Sequence, residues 1–485
     1  MRNLAIAALL LGYLLVAGCG QSVDQARPAK AGADVAATNP VVDVATKNAE
    51  AAKIPYQGWD GIRLVNGLAT VVVVPDIGGR VMEYKLGAHP FLWVNPAETG
   101  RIYPAPQAAD QRQWHNFGGY KVWPAPQSKW GGPPDPLKSE LDGGVWHSEV
   151  KASSAQVAEV LLTSPDDRAV TGLQMERLVR LFTGGSHVQM VETFCNVTDK
   201  PIEWSIWDVT QVPGSLDATE AFSREARVYL PLNPQSKSRD GYWPLMDKPT
   251  DQWEVLPQEG LLRVTYQRQV GKIGADSVGG WIAYADEKHG VVLVKRFEAG
   301  KLENYPDDGA SVEVFTSDTD PYMEVEVLSP VKRIEPRGRF SATVDWYAAT
   351  MPGPVLATSE VGAVSRPLAV ETKDGQTTVT GTFGVFAEGK ARLVALNPAA
   401  KALGTLLETD VTPMKALELS QTVTLPAGTA ELALAVDNKN GALMGRLATL
   451  RLGKTPPPGA LGEPAAWGPN GQPILPEKGS KTSAS

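Results

Sequence analysis

The chain has 485 residues, with 46 Lys and Arg against 54 Asp and Glu, and a formal net charge of −8 at pH 7. An acidic chain with evenly mixed charges is a poor nucleic-acid binder, so we expect no nucleic-acid partner. The only cysteines are Cys19 and Cys195, and the anchor described next uses the first, which excludes an internal disulfide framework.

The beginning of the chain is typical of a bacterial lipoprotein leader. A basic start is followed by an apolar run from Leu4 to Val16, which is short for a bilayer span, and then by Ala17-Gly18-Cys19. Small residues directly before a cysteine resemble a lipobox, which implies that residues 1–18 are a signal peptide and that Cys19 carries diacylglycerol. Acyl chains at ~0.8 kcal/mol per buried methylene make a permanent anchor. We therefore expect the bacterial cell envelope, at the outer membrane facing the periplasm, with the membrane bound through Cys19.

The next predicted elements are a tether and a long β region. Residues 19–55 comprise the acylated cysteine and a flexible segment without aromatic residues. Residues 56–350 show short β-branched runs between Gly, Pro, Asn and Asp, with no sustained helical period. The clearest predicted strands are Leu68–Pro75, Gln156–Thr163, His187–Asn196, Ile202–Val212, Trp281–Ala285, Val291–Phe297 and Tyr322–Leu328. The pattern predicts one large, curved antiparallel β-sandwich.

A second, smaller β pattern follows Pro352 and Pro354. Strands are predicted at Thr377–Phe383, Lys390–Leu396, Ala416–Leu425 and Glu431–Val436. Turns every 8 to 12 positions favour a small immunoglobulin-like β-sandwich over residues 355–453. Residues 454–485 are rich in Pro, Gly and Ser and are predicted to be a disordered tail.

One segment, from Trp114 to Trp130, combines aromatic, amide and cationic side chains with turn-forming Gly and Pro. Such a set suits a saccharide, because the C–H faces of a sugar stack on flat rings while its hydroxyls need polar partners. The candidate binding residues here are Asn116, Lys121, Trp123, Gln127 and Trp130. The alternative is that these tryptophans close the end of a sandwich, since Trp is usually well buried.

Four motifs occur in an order that resembles the galactose-mutarotase-like superfamily. They are Pro75-Asp-Ile-Gly-Gly-Arg-Val-Met82, the block from Asn116 to Gln127, Val209-Thr210-Gln211, and Tyr322-Met-Glu-Val-Glu-Val-Leu-Ser-Pro330. Within the superfamily the chain is most similar to a bacterial lipoprotein family of unassigned function. The resemblance covers about residues 56–350. It implies a large β-sandwich with a sugar cleft across one sheet, in aldose epimerases, sugar-binding modules and glycan-degrading enzymes alike.

The resemblance also implies catalytic positions. In the epimerases a glutamate on a late strand takes the anomeric proton, and Glu324 and Glu326 lie where that glutamate would be. A spacing of two puts both on one strand face. The alternative to a catalytic role is that Val325 and Val327 simply face the core while the glutamates face solvent. The epimerase histidine, which protonates the ring oxygen, is replaced here by Trp207 or Asp208, so Asp208 is a further candidate.

Three other side chains are candidates for the cleft. Arg80, after the Gly78-Gly79 turn, is a candidate clamp for ring hydroxyls. His115 and His147 lie beside tryptophans and are interpreted as binding or packing residues that could replace the missing acid, and His147 is counted among the substrate-binding candidates. No zinc spacing, P-loop or dinucleotide motif is present, so no metal and no cofactor are predicted.

Three functions remain open from the sequence. The first is a membrane-anchored lipoprotein that binds or processes a saccharide in a mutarotase-like cleft. The second is an active sugar epimerase with Glu324 or Glu326 as general base. The third is a non-catalytic envelope scaffold, whose C-terminal sandwich contacts an unknown protein partner.

Overall fold

The computed structural model describes residues 48–103, 114–130, 140–216, 223–246, 251–300 and 304–453. The strands of the first part are β1 Glu50–Tyr56, β2 Trp59–Val65, β3 Ala69–Val74, β4 Arg80–Leu86, β5 His89–Pro90, β6 Tyr120–Ala125, β7 His147–Ser153, β8 Val157–Thr163, β9 Leu173–Phe182, β10 Val188–Asn196, β11 Ile202–Pro213, β12 Ala226–Pro231, β13 Trp243–Pro244, β14 Trp253–Leu256, β15 Leu261–Thr265, β16 Gly271–Ala275, β17 Trp281–Asp286, β18 Val291–Phe297, β19 Val312–Thr316, β20 Tyr322–Leu328, β21 Lys332–Ile334 and β22 Arg339–Thr350.

The later strands are β23 Ala357–Thr358, β24 Gly362–Lys373, β25 Gln376–Val385, β26 Gly389–Leu396, β27 Ala402–Val411, β28 Leu417–Val423, β29 Glu431–Asn438 and β30 Leu443–Arg451. A short helix, α1, covers Glu140–Gly143, and 3₁₀ turns cover Pro75–Ile77 and Gln127–Lys129. The predicted all-β fold class is confirmed. In the described ranges no helix is long and apolar enough to cross a membrane.

The first part of the chain forms two large antiparallel sheets. One has the order β1-β2-β3-β4-β6-β11-β20-β19-β16-β13, with β5 beside β4 and β21 beside β11. The other has the order β14-β15-β12-β17-β18-β22-β10-β9-β8-β7. They are called the twelve-stranded and the ten-stranded sheet below.

The two sheets pack face to face over one apolar core. Met323 and Val325 of β20 are fully buried in it, together with Leu293 of β18 and Trp346 of β22. Because side chains alternate along a strand, the neighbours of these residues point away from the core. The face of the twelve-stranded sheet toward the ten-stranded sheet is called the inner face below, and the opposite one the outer face.

The chain enters the fold earlier than the sequence predicted. Strand β1 pairs with β2 from Glu50 opposite Val65 to Tyr56 opposite Trp59, so residues 50–55 of the predicted tether belong to the sheet. Most side chains of β1 are not buried, and backbone pairing at a sheet edge leaves no apolar pattern to recognise. Cys19 and the predicted tail, residues 454–485, lie outside the described residues.

A smaller sandwich follows. Its two four-stranded sheets have the orders β23-β24-β25-β28 and β27-β26-β29-β30. They share a separate core that includes Val379, Phe383, Leu393 and Leu434. Backbone contacts join it to the large sandwich, such as the hydrogen bond from Ser186 N to the carbonyl oxygen of Phe386 at 2.9 Å.

Close backbone contacts fix two of the sequence motifs. Gly78 has φ 79°, and a Cβ there would lie 2.0 Å from the carbonyl oxygen of Asp142. Gly118 has φ 88°, and a Cβ there would lie 2.4 Å from the carbonyl oxygen of Trp93. Both positions therefore need glycine for space as well as for conformation.

A ring of three backbone hydrogen bonds holds the start of β6 against β11. Trp93 N donates to the oxygen of Gln211, Gln211 N to that of Gly119, and Gly119 N to that of Trp93, at 2.9, 3.0 and 2.7 Å. The aromatic block is thus tied to the Val209-Thr210-Gln211 motif.

Candidate functional site

The outer face of the twelve-stranded sheet carries the two glutamates singled out from the sequence. Since Met323, Val325 and Val327 belong to the core, Glu324 and Glu326 lie on the outer face of β20. The side chain of Glu326 is 0% exposed and that of Glu324 is 12% exposed. The alternative of simple alternation between core and solvent therefore does not describe them, because both are enclosed by other polar and aromatic groups.

Strand register identifies those groups. Lys121 and Trp123 of β6 lie opposite Val209 and Trp207 of β11. On the other side of β20, Glu313 of β19 lies opposite Glu326, and Phe315 lies opposite both Glu324 and Lys272 of β16. Residues in register share a face, so these side chains form one row across five strands. We call the following set the outer-face cluster: Arg80, Lys121, Trp123, Asp142, Trp207, Gln211, Lys272, Glu313, Glu324 and Glu326.

One half of the cluster is centred on Glu324. Its Oε1 accepts a hydrogen bond from Gln211 Nε2 at 2.8 Å and lies 3.4 Å from Lys121 Nζ. The Lys121 ammonium lies 4.1 Å from the centre of the Trp123 ring and 5.5 Å from that of Trp114. Burial lowers the pKa of Lys121. The Lys121 ammonium therefore lies between two indole rings and beside the Glu324 carboxylate.

Arg80 stabilises this half of the cluster through Asp142. It is fully buried, and its Nη2 lies 2.7 Å from Asp142 Oδ1, which also accepts the Trp123 Nε1–H at 2.8 Å. Arg80 Nη1 donates to the carbonyl oxygen of Gly118 at 3.2 Å. Burial lowers the pKa of Arg80. Arg80 was predicted to contact a ligand, but in the structure its guanidinium orients Trp123 through Asp142.

The other half of the cluster contains two carboxyl groups around one lysine. Glu326 Oε2 accepts the Trp207 Nε1–H at 2.6 Å and lies 3.1 Å from Lys272 Nζ. The same Nζ lies 2.6 Å from Glu313 Oε2. It also lies 4.3 Å from the centre of the Trp207 ring.

This crowding separates the protonation behaviour of the groups. Burial, together with the carboxylates of Glu326 and Asp307, raises the pKa of Glu313 well above its usual range. Although burial acts to lower it, the carboxylates of Glu313 and Glu326 raise the pKa of Lys272. Glu313 is therefore a carboxyl group that tends to hold its proton beside a charged lysine, and Glu326 accepts two hydrogen-bond donors.

The tryptophans of the aromatic block differ in exposure. Trp114 is 39% exposed and Trp123 is half-buried, so both can meet a ligand. Trp130 is buried, packs edge-on against Trp123 at a centroid distance of 5.8 Å, and donates its Nε1–H to the carbonyl oxygen of Pro124 at 2.7 Å. Trp130, predicted as a binding residue, instead supports Trp123 from behind.

The remaining candidate residues lie in the segment before β6, in the 3₁₀ turn after it and on β7. Gln127 is half-buried in the 3₁₀ turn after β6. Asn116 is half-buried, and its carbonyl oxygen accepts a hydrogen bond from Asn95 Nδ2 at 2.8 Å. His115 stacks on Tyr103 at 3.4 Å between ring centres. His147 is exposed on β7, the edge strand of the ten-stranded sheet, and is not part of the outer-face row.

Asp208 lies on the inner face and requires a correction. Its strand neighbour Trp207 points outward, so Asp208 points into the core, where it forms an ion pair with Lys295 of the ten-stranded sheet. Burial raises the pKa of Asp208, and Lys295 opposes the change. A catalytic role beside Glu324 and Glu326 is excluded for this side chain, because the sheet lies between them.

Five members of the cluster were missed or given no role in the sequence: Lys272, Glu313, Asp142, Trp207 and Gln211. A signal existed for Glu313, since Val312-Glu313-Val314 shows the same alternation as Met323-Glu324-Val325. No signal marks Lys272, because β16 is short and its neighbours in the sheet are distant in the sequence.

Fold and site together define a class: a two-sandwich β protein with a charged, tryptophan-lined face on its larger sheet. The chain belongs to the family described as Domain of unknown function (DUF4380), whose profile matches residues 60–349. The comparison with curated proteins found no match.

Several of the solved structures similar to the chain are described as galactose-mutarotase-like proteins or aldose 1-epimerases, the class that the sequence motifs resemble. The Slr1438 protein of Synechocystis sp. PCC 6803 has 12% identity and a TM-score of 0.42, over 60% of this chain and 96% of that one. A galactose mutarotase-like protein from Clostridium acetobutylicum has 11% identity and a TM-score of 0.40, over 63% and 100%. A galactose mutarotase related enzyme from Lactobacillus acidophilus has 14% identity and a TM-score of 0.36, over 60% and 98%. At these values the matches assign no activity to this chain.

Proposed function

We propose that the outer-face cluster binds a saccharide. The observation that carries this is the placement of Trp114, Trp123, Lys121 and Glu324 on one face, with two indoles accessible and the charged groups between them. A sugar offers C–H faces for the rings and hydroxyls for the carboxylate and the ammonium. A buried ion pair inside a sheet that served only stability would not need an exposed tryptophan over its cation.

Saccharide binding requires both ring contacts and hydrogen bonds. Covering roughly 60 Å² of apolar sugar surface with one indole contributes about 1.5 kcal/mol at ~25 cal/mol/Å². Two rings alone therefore give weak binding, and directed hydrogen bonds must supply the rest. Glu324 and Lys121 are held in position by Gln211 and Trp123, so little side-chain freedom is lost when they bond to a hydroxyl.

Binding is tested by titrating mono- and oligosaccharides into the protein and following tryptophan fluorescence. Trp114→Ala should weaken binding about tenfold, the equivalent of one lost ring contact, and should leave the fold intact because the side chain is 39% exposed. Trp253→Phe is the matched control, since Trp253 is half-buried on β14 of the other sheet. Equal binding by Trp114→Ala and the control, or no binding of any sugar, contradicts the proposal, and the second result favours the scaffold function.

A second candidate function, aldose epimerisation, is favoured by the pair Glu313 and Glu326. Ring opening needs a base for the anomeric hydroxyl proton and an acid for the ring oxygen. A carboxyl group that holds its proton beside a second carboxyl group supplies such a pair. Glu313, with its raised pKa, fits the acid, and Glu326 or Glu324 fits the base. This arrangement offers a substitute for the histidine that the epimerases have and that β11 lacks.

We further propose that Cys19 is lipid-modified and holds the chain at the outer membrane facing the periplasm. The support is the sequence alone: an apolar run followed by Ala17-Gly18-Cys19. Labelled palmitate fed to cells that produce the chain should be incorporated into it, and Cys19→Ser should lose the label and leave the membrane fraction. Incorporation of label by Cys19→Ser would contradict the anchor.

A further inference from the structure

Three potential metal ligands meet at one end of the large sandwich, away from the outer-face cluster. His89 lies on β5, beside β4 of the twelve-stranded sheet, while Asp286 and His289 lie at the turn between β17 and β18 of the ten-stranded sheet. The two parts are about two hundred positions apart in the sequence. For this reason no metal-ligand spacing was recognised there.

The ligand atoms are already close together. His289 Nδ1 lies 2.7 Å and His89 Nε2 lies 3.9 Å from Asp286 Oδ2, and all three atoms lie within 4.8 Å of one another. In a tetrahedral zinc site with bonds of about 2.0–2.1 Å, ligand atoms are about 3.3 Å apart. The two separations measured from Asp286 Oδ2 bracket this value.

The chemical state of the groups suits a metal. His89 Nε2 is buried and has no hydrogen-bond partner among the described residues, which is costly for a polar atom unless a ligand is bound to it. Asp286 Oδ1 accepts the backbone N–H of His289 at 3.1 Å, which leaves Oδ2 aimed at the two rings.

Access to the site is also available. His289 is 42% exposed, whereas His89 and Asp286 are 16% and 7% exposed. An ion can therefore enter from the His289 side, with water in the remaining coordination position. Two imidazoles and one carboxylate are a ligand set for zinc or a similar divalent transition metal, and calcium and magnesium prefer all-oxygen sites.

We propose that His89, Asp286 and His289 bind one divalent transition-metal ion of the zinc class. The ion would join the β4–β5 hairpin to the β17–β18 turn and so connect the two large sheets at this end. Its role is structural, and it is independent of saccharide binding on the outer face.

The test is a titration of the full chain, purified without a histidine tag, with Zn²⁺ by calorimetry and with Co²⁺ by visible absorption. We expect one equivalent of either ion, a d–d band of low coordination number for cobalt, and a rise in Tm of about 5 °C at saturating zinc. His289→Ala should weaken zinc binding about 100-fold and remove the Tm rise. This variant should fold normally because the His289 side chain is 42% exposed. His89→Gln should give the same loss of binding.

The matched control is His187→Ala. His187 Nε2 lies 2.7 Å from Asp345 Oδ1 at 28% exposure, a histidine–aspartate pair of the same kind that is not part of the three-ligand group. Its loss should leave zinc affinity unchanged. Absence of stoichiometric uptake by the wild-type chain, or equal uptake by His289→Ala and the wild type, overturns the site, whatever the outcome of the saccharide experiments.

Discussion

The inner and outer faces of the twelve-stranded sheet both carry buried charges, but they differ in how the charges are matched. In the interior between the two large sheets each of two carboxylates has its own cation: Asp208 of the inner face pairs with Lys295, and Glu192 of the ten-stranded sheet lies 2.6 Å from Arg177. On the outer face Glu313 and Glu326 share Lys272, at 2.6 and 3.1 Å. The inner pairs are neutral as units, whereas the outer group has a carboxyl in excess.

This difference distinguishes buried charges that stabilise the fold from those that we propose take part in binding. A matched buried pair stabilises the fold only modestly, but it is costly to break. An excess carboxyl must hold a proton or accept hydrogen bonds from a ligand, and both behaviours suit a site that handles hydroxyl groups. Changes on the inner face should therefore alter stability, while changes on the outer face should alter binding and chemistry.

The largest expected effect is on catalysis. If the chain exchanges sugar anomers, Glu326→Gln should slow the exchange by about 10² to 10⁴, because the base is lost while the shape is kept. Anomer-exchange NMR on common aldoses measures the rate. Asp208→Asn is the inner-face control, and its rate per folded molecule should stay within about twofold. Equal losses in both variants would remove the distinction between the faces.

Breaking an inner pair should have the next largest effect. Lys295→Met leaves Asp208 buried without its cation, and we expect the free energy of unfolding to fall by about 3–5 kcal/mol. Urea denaturation followed by fluorescence gives the value. Lys272→Met, on the outer face, should cost less than about half of this, since Glu313 can hold its proton and Glu326 keeps the Trp207 donor. A larger loss for Lys272→Met would reverse the comparison.

The smallest effect expected is a change in the pH dependence of stability. Because the folded pKa of Glu313 is raised, the folded state holds a proton that the unfolded state releases. The contribution of Glu313 to stability is fully present below the unfolded pKa of 4.5 and is lost as the pH rises through the folded value. Glu313→Gln should therefore gain Tm relative to the wild type as the pH rises above 4.5.

Differential scanning calorimetry at several pH values measures this difference. The control is Glu335→Gln, since the Glu335 side chain is 64% exposed and should change the Tm equally little at every pH. A Tm difference for Glu313→Gln that does not vary with pH would show that the carboxyl ionises normally.

Much of the fold could be predicted because many strands show a local pattern of β-branched and apolar residues between turn-forming residues. The seven strands predicted in residues 56–350 match β3, β8, β10, β11, β17, β18 and β20 within one residue at each end. The alternation around Glu324 and Glu326 also placed both on one face. Strands with mixed or exposed side chains, such as β1 and β16, gave no comparable signal.

The site was harder to predict because it depends on which strands become neighbours. The position of Glu313 beside Glu326 follows from the pairing of β19 with β20, and that of Lys272 from the pairing of β16 with β19. Asp208 was predicted to be catalytic because its position along the chain matched that of the epimerase histidine. The sheet face to which its side chain points depends on which residues of β11 alternate inward. The burial of Trp130 depends on its packing against Trp207, which no local pattern reports.

The backbone ring of Trp93, Gly119 and Gln211 has a consequence for how this family can vary. It fixes the position from which the side chains of β6 alternate between the two faces. Adding or deleting one residue between Gly119 and Lys121 would therefore exchange Lys121 and Trp123 with Tyr120 and Val122. A lysine would then face the apolar interior and a tyrosine would be lost from it. Length changes by one residue should therefore be excluded from this segment, even where single substitutions are accepted.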